Sequence, residues 1–344
     1  MKIAIYGAGA MGTVLGSYLT KGGADVTLIS RNREHIEGLK QNGAKILCVA
    51  DGTEENIPVR ALLPEEMTER YDIIFLMTKQ RENEKTLQFL KDYLLDDGIV
   101  CTTQNGLPEE SVVKALGTER AYGAAVSFGA TFVGGGCVKL TSQKSAMSVL
   151  VGGYQNDNAK TPLLAEALQK AGEAIGTENF VTATDNLAGA RWSKLAINAA
   201  FSTLSTITGL TFGEVAKRSK TKKLALKILR EAFAVAKAQG VTLEKMQGHD
   251  LTKLFGGKGF FKTMIAYCLL PVAMKRHKML VSGMLKDIEA GKKCDVDFVA
   301  GAVVAAGKRE NIPTPYTEKA VQIVHGIENG LYEISYANAD FFEI

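Results

Sequence analysis

The chain has 344 residues, 46% hydrophobic and 23% charged, which suffices for a sizeable core and lies far from a disordered composition. A count of 41 Lys and Arg against 37 Asp and Glu gives a net charge of +4, too small and too scattered for a nucleic-acid surface. Apolar stretches fall short of a membrane span and no secretory signal opens the chain; the five widely spaced cysteines, without a CxxC or metal spacing, read as free thiols of a cytoplasmic protein.

In chain order, KIAIYG (2–7), DVTLIS (25–30), DIIFLMT (72–78) and GIVCTTQNG (98–106) read as buried parallel strands, with helical, charged segments between them. Residues 121–153, rich in Gly, Val and Thr, add further strands, some antiparallel. PLLAEALQKAGEAI (162–175) is a helix and NFVTAT (179–184) holds a last short strand. Beyond residue 182 the periodicity is helical throughout, over 185–208, 221–239, about 260–290, 296–309 and 315–329. The expected architecture is α/β: a Rossmann-type doubly wound sheet over 1–182, then an all-helical substrate and catalytic domain over 183–344.

The run GAGAMG (Gly7, Ala8, Gly9, Ala10, Met11, Gly12) is a GxGxxG between a strand and a helix, the context of a dinucleotide site. Gly7 permits the tight turn, Gly9 leaves room for a pyrophosphate, and Gly12 lets helix meet strand. The helix start offers N–H groups and partial positive charge to phosphates. A tight turn without a ligand is the alternative. An NAD site would carry Asp or Glu after the second strand; this chain has Ser30 and Arg31, with Arg33 close by. A guanidinium grips a 2′-phosphate that a carboxylate would repel, so the expected cofactor is NADPH. The alternative is that Arg31 is a solvated loop residue.

The stretch RWSKLAINAAFS (191–202) is helical and apolar almost all round, yet Arg191, Lys194, Asn198 and Ser202 fall within about 80° at 100° per residue. A lysine bordered by apolar residues is partly desolvated, which lowers its pKa and eases proton donation. A snorkelling surface lysine is the alternative.

Taken in order, the GxGxxG, TLISR (27–31), MTKQ (77–80), QNG (104–106), WSKLAIN (192–198) and GMLKDI…GKKCDVD (283–297) resemble the ketopantoate reductase family. The resemblance implies a Rossmann domain followed by a helical one, an active site between them, and reduction of 2-dehydropantoate to pantoate with NADPH in pantothenate synthesis. It implies that Lys194 is catalytic, hydrogen-bonding and protonating the ketone oxygen. Asn198 would hold substrate and lysine. Asn105 would sit near the nicotinamide ribose and the substrate, though Asn-Gly is also a common turn pair. Lys79 and Ala130, the latter expected in a loop, would contact the cofactor.

The chain departs from the family pattern on the substrate side. Ser202 stands where a second Asn is usual, Gly283 follows Ser282 where the family has Ser, and Asp295 replaces Glu. Ser202, Ser282 and Asp295 remain candidate substrate contacts, with a helix N-cap the alternative for Asp295. The 244–280 segment looks longer than the family's link. The expected partner is a small-molecule 2-keto acid, with a homodimer possible and neither nucleic acid nor membrane involved. The rival readings are the same chemistry on another 2-keto acid and a non-catalytic NADP-binding sensor.

Overall fold

The computed structural model describes residues 1–246 and 248–343; Gln247, in the 244–280 segment, lies outside them. The chain divides into two compact units, one of Met1–Gln104 with Pro108–Leu187, the other of Asn105–Leu107 with Ala188 onward.

The first unit is built on strands β1 (Lys2–Tyr6), β2 (Asp25–Ile29), β3 (Ala44–Cys48), β4 (Glu54–Ile57), β5 (Arg60–Leu62), β6 (Tyr71–Leu76), β7 (Leu94–Thr102), β8 (Ala121–Val126), β9 (Ala130–Gly134), β10 (Cys137–Leu140), β11 (Val149–Gly153) and β12 (Val181–Ala183). An eight-stranded sheet runs β12-β11-β8-β7-β6-β1-β2-β5. From β8 to β5 neighbours are parallel; β11 is antiparallel to β8, and β12 is parallel to β11. The order reverses between β1 and β6, which makes the crevice beyond their C-terminal ends the natural ligand position of a doubly wound sheet.

Side chains alternate across this sheet. Ile3 and Ile5 enter one core, with helices α1 (Ala10–Lys21) and α5 (Thr161–Ile175), while Ala4 and Tyr6 enter another, with α3 (Asn83–Leu90) and α4 (Glu109–Leu116). A second sheet, β4-β3-β10-β9, packs on the α1 side. Its β9 and β10, an antiparallel pair, fall within the 121–153 stretch expected to add strands, whereas β3 and β4, short and charged, were not foreseen. Helix α2 (Arg33–Asn42) starts under an Asn32 cap that accepts the His35 N–H at 3.0 Å.

The second unit is helical: α6 (Leu187–Ile197), α7 (Thr203–Thr208), α8 (Phe212–Lys217), α9 (Ser219–Ala238), α10 (Leu251–Phe255), α11 (Phe260–Ala273), α12 (Gly283–Glu289), α13 (Ala300–Arg309) and α14 (Pro315–Glu328). Its core is its own, with Leu195, Phe201, Leu204, Leu224, Ile228, Val303 and Ile323 among its buried residues. Two expected helices are corrected. The one over 185–208 contains a π turn at Asn198–Ser202. The one over 260–290 runs through Pro271, ends at Ala273, and gives way to a new helix that Ser282 caps. Among the described residues no helix is long and apolar enough to cross a membrane, and no acid, His or Cys cluster could hold a metal ion.

Candidate active site

The glycine run follows β1 directly. Gly7 takes φ +110°, and a Cβ there would lie 2.6 Å from the Met77 carbonyl carbon. A Cβ on Gly12 would lie 2.5 Å from the Gly7 oxygen. These two glycines are required by the protein's own backbone. Gly9 is not: no protein atom lies within 4 Å of where its Cβ would be. The space it keeps open is of the kind a close-approaching ligand needs. The first helical hydrogen bond of α1 runs from Thr13 N–H to the Gly9 oxygen at 2.9 Å, so the N–H groups of Ala10, Met11 and Gly12 precede the ladder.

Beside this turn lies a pocket of about 270 Å³, bounded by Tyr6, Gly7, Gly9, Ser30, Arg31, Met77, Thr78 and Lys79 among others. No carboxylate is among its lining residues. Arg31 is exposed and makes no ion pair among the described residues, whereas Arg33 is held by Glu65 at 3.0 Å. The buried Thr78 hydroxyl has no hydrogen-bond partner among the described residues. Open backbone, helix N–H groups and a cationic wall all fit an anionic dinucleotide.

Residues that sequence reasoning missed support this site from behind. The His35 Nε2 lies 2.9 Å from Thr13 Oγ1, and its Nδ1 accepts the Gly136 N–H at 3.1 Å. Nδ1 therefore carries no proton, and Nε2–H faces Thr13. Phe132 lies against the ring at 4.7 Å. Burial lowers the His35 pKa to about 4, so the ring is neutral at physiological pH. Gln104 donates to the Thr78 carbonyl and to Asn83 Oδ1, both at 2.7 Å, and accepts from Asn83 Nδ2 at 3.0 Å. It ties the loop after β6 to the loop after β7. No local pattern announces either role.

Gly7, Gly9, Arg31 and Lys79 are thus brought together, with Ala8 buried beside them. Ala130 is not. It opens β9, pairing with Leu140, instead of lying in a loop, and it is not among the pocket's lining residues.

In the helical unit, Lys194 occupies the last turn of α6 and Asn198 opens the π turn. Burial, with the Arg191 guanidinium as the second cause, lowers the Lys194 pKa to about 8. Arg191 itself is only 2% exposed. The π turn adds a residue to its turn, so Ser202 does not stay in α-helical phase with Lys194. The Ser202 carbonyl accepts from Thr206 Oγ1 at 2.8 Å, and that oxygen lies 3.1 Å from Ser282 Oγ. Ser282 is buried and accepts the Met284 N–H at 3.1 Å, which makes it the cap of α12. Asp295 precedes a 3₁₀ turn at Val296–Phe298, but its side chain makes no capping bond. Asn105 is exposed, just past β7, and Gly106 takes φ +86°, as a turn pair requires.

Residues 3–149 match the family model described as Ketopantoate reductase PanE/ApbA, and residues 186–328 match Ketopantoate reductase PanE/ApbA C terminal. The 2-dehydropantoate 2-reductase of Lactococcus lactis subsp. lactis (strain IL1403) is 27% identical over 331 residues, 95% of this chain and 98% of the relative. The Pyrococcus horikoshii enzyme of that name is 27% identical over 318 residues, covering 92% of this chain and 93% of its own. Among solved structures, D-mandelate dehydrogenase with NADH and anilino(oxo)acetate is similar at TM-score 0.80 and 26% identity, over 96% of this chain and 99% of that one. A PanE/ApbA family ketopantoate reductase from Ralstonia eutropha JMP134, at 24% identity and TM-score 0.78 over 96% of this chain and 99% of its own, shares the fold.

Proposed function

The chain belongs to the ketopantoate reductase family, a family of oxidoreductases, and on that premise we propose that it reduces the ketone of a 2-keto acid with NADPH, foremost 2-dehydropantoate to pantoate. The observation that carries this reading is Lys194, a cation on a largely buried helix with a pKa brought down to about 8. Such a group is still protonated at neutral pH and is a better proton donor than an ordinary lysine.

When bound, NADPH supplies the hydride. Gly7–Gly12 receive its pyrophosphate, and Arg31 and Lys79 receive the 2′-phosphate side. The absence of a carboxylate among the pocket's lining residues supports NADPH over NADH. Lys194 hydrogen-bonds the ketone oxygen, stabilises the developing alkoxide and delivers its proton to it. Asn198 and Asn105 orient the substrate, with Ser202 beside them, and Asp295 accepts from a substrate hydroxyl. Ser282 acts mainly through its cap on α12. The free thiols of the described residues support a reducing compartment, hence the cytoplasm, and 2-dehydropantoate as substrate assigns the enzyme to pantothenate synthesis.

A second reading keeps the chemistry and changes the acid. It is favoured by Ser202 and Asp295, and by the likeness to D-mandelate dehydrogenase. Turnover of 2-dehydropantoate and of aryl and alkyl 2-keto acids, with NADPH and with NADH, tests both. We expect 2-dehydropantoate with NADPH to give the highest kcat/KM. A tenfold advantage for an aryl 2-keto acid would establish the second reading, and no turnover of any keto acid would overturn both.

A further inference from the structure

The chain from Ser30 to Glu34 carries Arg31 from the end of β2 to the first turn of α2, and it is pinned at both ends to the glycine turn and its helix. At the near end the Ile29 carbonyl accepts the N–H groups of Gly7 and Ala8, both at 2.9 Å. At the far end stands His35, fully buried in the first turn of α2. Its Nε2 faces Thr13 Oγ1 at 2.9 Å, and the Thr13 N–H makes the first helical bond of α1, to Gly9. Between these ends the Asn32 N–H is accepted by Ser30 Oγ at 3.3 Å, and Asn32 Oδ1 accepts the His35 N–H at 3.0 Å. A stretch this short, held at both ends, presents Arg31 from a fixed place.

The other side of His35 gives the second sheet a role. Gly134, Gly135 and Gly136 turn the chain from β9 to β10, with φ of +114°, +54° and +85°. The Gly136 N–H donates to His35 Nδ1 at 3.1 Å, and the Gly136 carbonyl accepts the Lys45 N–H of β3 at 3.0 Å. Helix α2 rests directly on this turn. A Cβ on Gly136 would lie 2.8 Å from the Gly38 carbonyl carbon, and one on Gly38 would collide with the Gly135 backbone. Two stretches of backbone meet there with no side chain between them. Phe132 closes over the imidazole, its ring centre 4.7 Å away.

One ring thus joins three elements: α1, α2 and the β9–β10 turn. An apolar side chain at this position could hold them near each other. A buried ring bonded through both nitrogens also fixes their directions, because hydrogen bonds weaken steeply off axis. We propose that His35, seated on the 134–136 turn, is a positioning residue for cofactor choice, which holds α2 so that Arg31 is aimed at the 2′-phosphate. The proposal rests on the reading of Arg31 as the 2′-phosphate group, and it adds what aims that group. The glycine turn itself serves NADPH and NADH alike, so the contribution of His35 falls on the difference between them.

Fluorescence titration of the full chain with NADPH and with NADH tests the proposal. His35→Leu removes both ring bonds. Gly38→Ala lifts α2 from its seat while favouring the helix itself, and it decides the question should His35→Leu fail to fold. Each should raise the NADPH Kd on the order of tenfold, the scale of one lost charged hydrogen bond, and the NADH Kd by less than about threefold. In turnover the loss should appear in the KM for NADPH, with kcat little changed. In an Arg31→Ala background neither change should weaken NADPH further, because a residue that acts through Arg31 then has nothing to aim. Equal losses for both cofactors, or losses that simply add to that of Arg31→Ala, would make His35 a support of the fold alone and overturn the proposal. Should Arg31→Ala itself spare NADPH, the reading of Arg31 falls, and this proposal falls with it.

Discussion

Replacing Lys194 by alanine removes the proposed proton donor and should lower kcat by about 10²–10⁴-fold while leaving NADPH affinity nearly intact. The donor works only when protonated. With a pKa of about 8, kcat/KM for reduction should therefore be flat below that pH and fall as pH rises through it. A profile flat through this range, or a K194A enzyme with near wild-type turnover, would reject the assignment. Arg31→Ala should weaken NADPH by about 1.5–3 kcal/mol and hardly change NADH, because only the former carries the 2′-phosphate. Equal losses for both, by fluorescence titration, would return Arg31 to the solvent. Asp295 makes no capping bond, so Asp295→Asn is read through the substrate. It should raise KM strongly for 2-dehydropantoate and little for a keto acid lacking the hydroxyl. An unchanged ratio of the two kcat/KM values would remove Asp295 from the site.

At the scale of elements, the glycine turn was legible because its spacing is local: Gly12 answers to the Gly7 oxygen, which any strand–turn–helix brings near, although Gly7 also answers to the distant Met77 backbone. The supports behind it were not. His35 reaches Thr13 across 22 positions and Gly136 across 101, and only the finished fold brings these residues together. The π turn at Asn198–Ser202 was hidden for a related reason, since the packing, not the composition of NAAFS, decides whether a turn takes the extra residue. His35 gives this level its test. Its pKa falls from 6.5 to about 4 on folding, so its contribution to stability is complete above pH 6.5 and is lost as pH falls toward 4. The loss amounts to about 3 kcal/mol. Urea midpoints measured across this range should fall more steeply for wild type than for His35→Gln. Identical slopes would assign the acid sensitivity to other groups.

For the whole molecule, strands buried on both faces, such as KIAIY and YDIIFL, wrote themselves as apolar runs, and the central sheet could be read from them. The β3–β4 pair of the second sheet could not: AKILC and EENI carry Lys45 and Glu54 on exposed positions and resemble loops. The switch from strand to helical periodicity near residue 182 lies close to Leu187, where the first unit ends, but nothing in QNG announced that Asn105–Leu107 group with the helices. The separateness of the cores has a calorimetric consequence. Side chains that bury each other melt together, and here the sheet cores draw only on the first unit and the helical core only on the second. The chain should absorb heat in two steps, as two cooperative blocks. NADPH at about 100 times its Kd should lift the block holding the glycine turn by about 2.7 kcal/mol and leave the other where it was. A single endotherm that NADPH shifts as a whole would mean that the two blocks unfold as one.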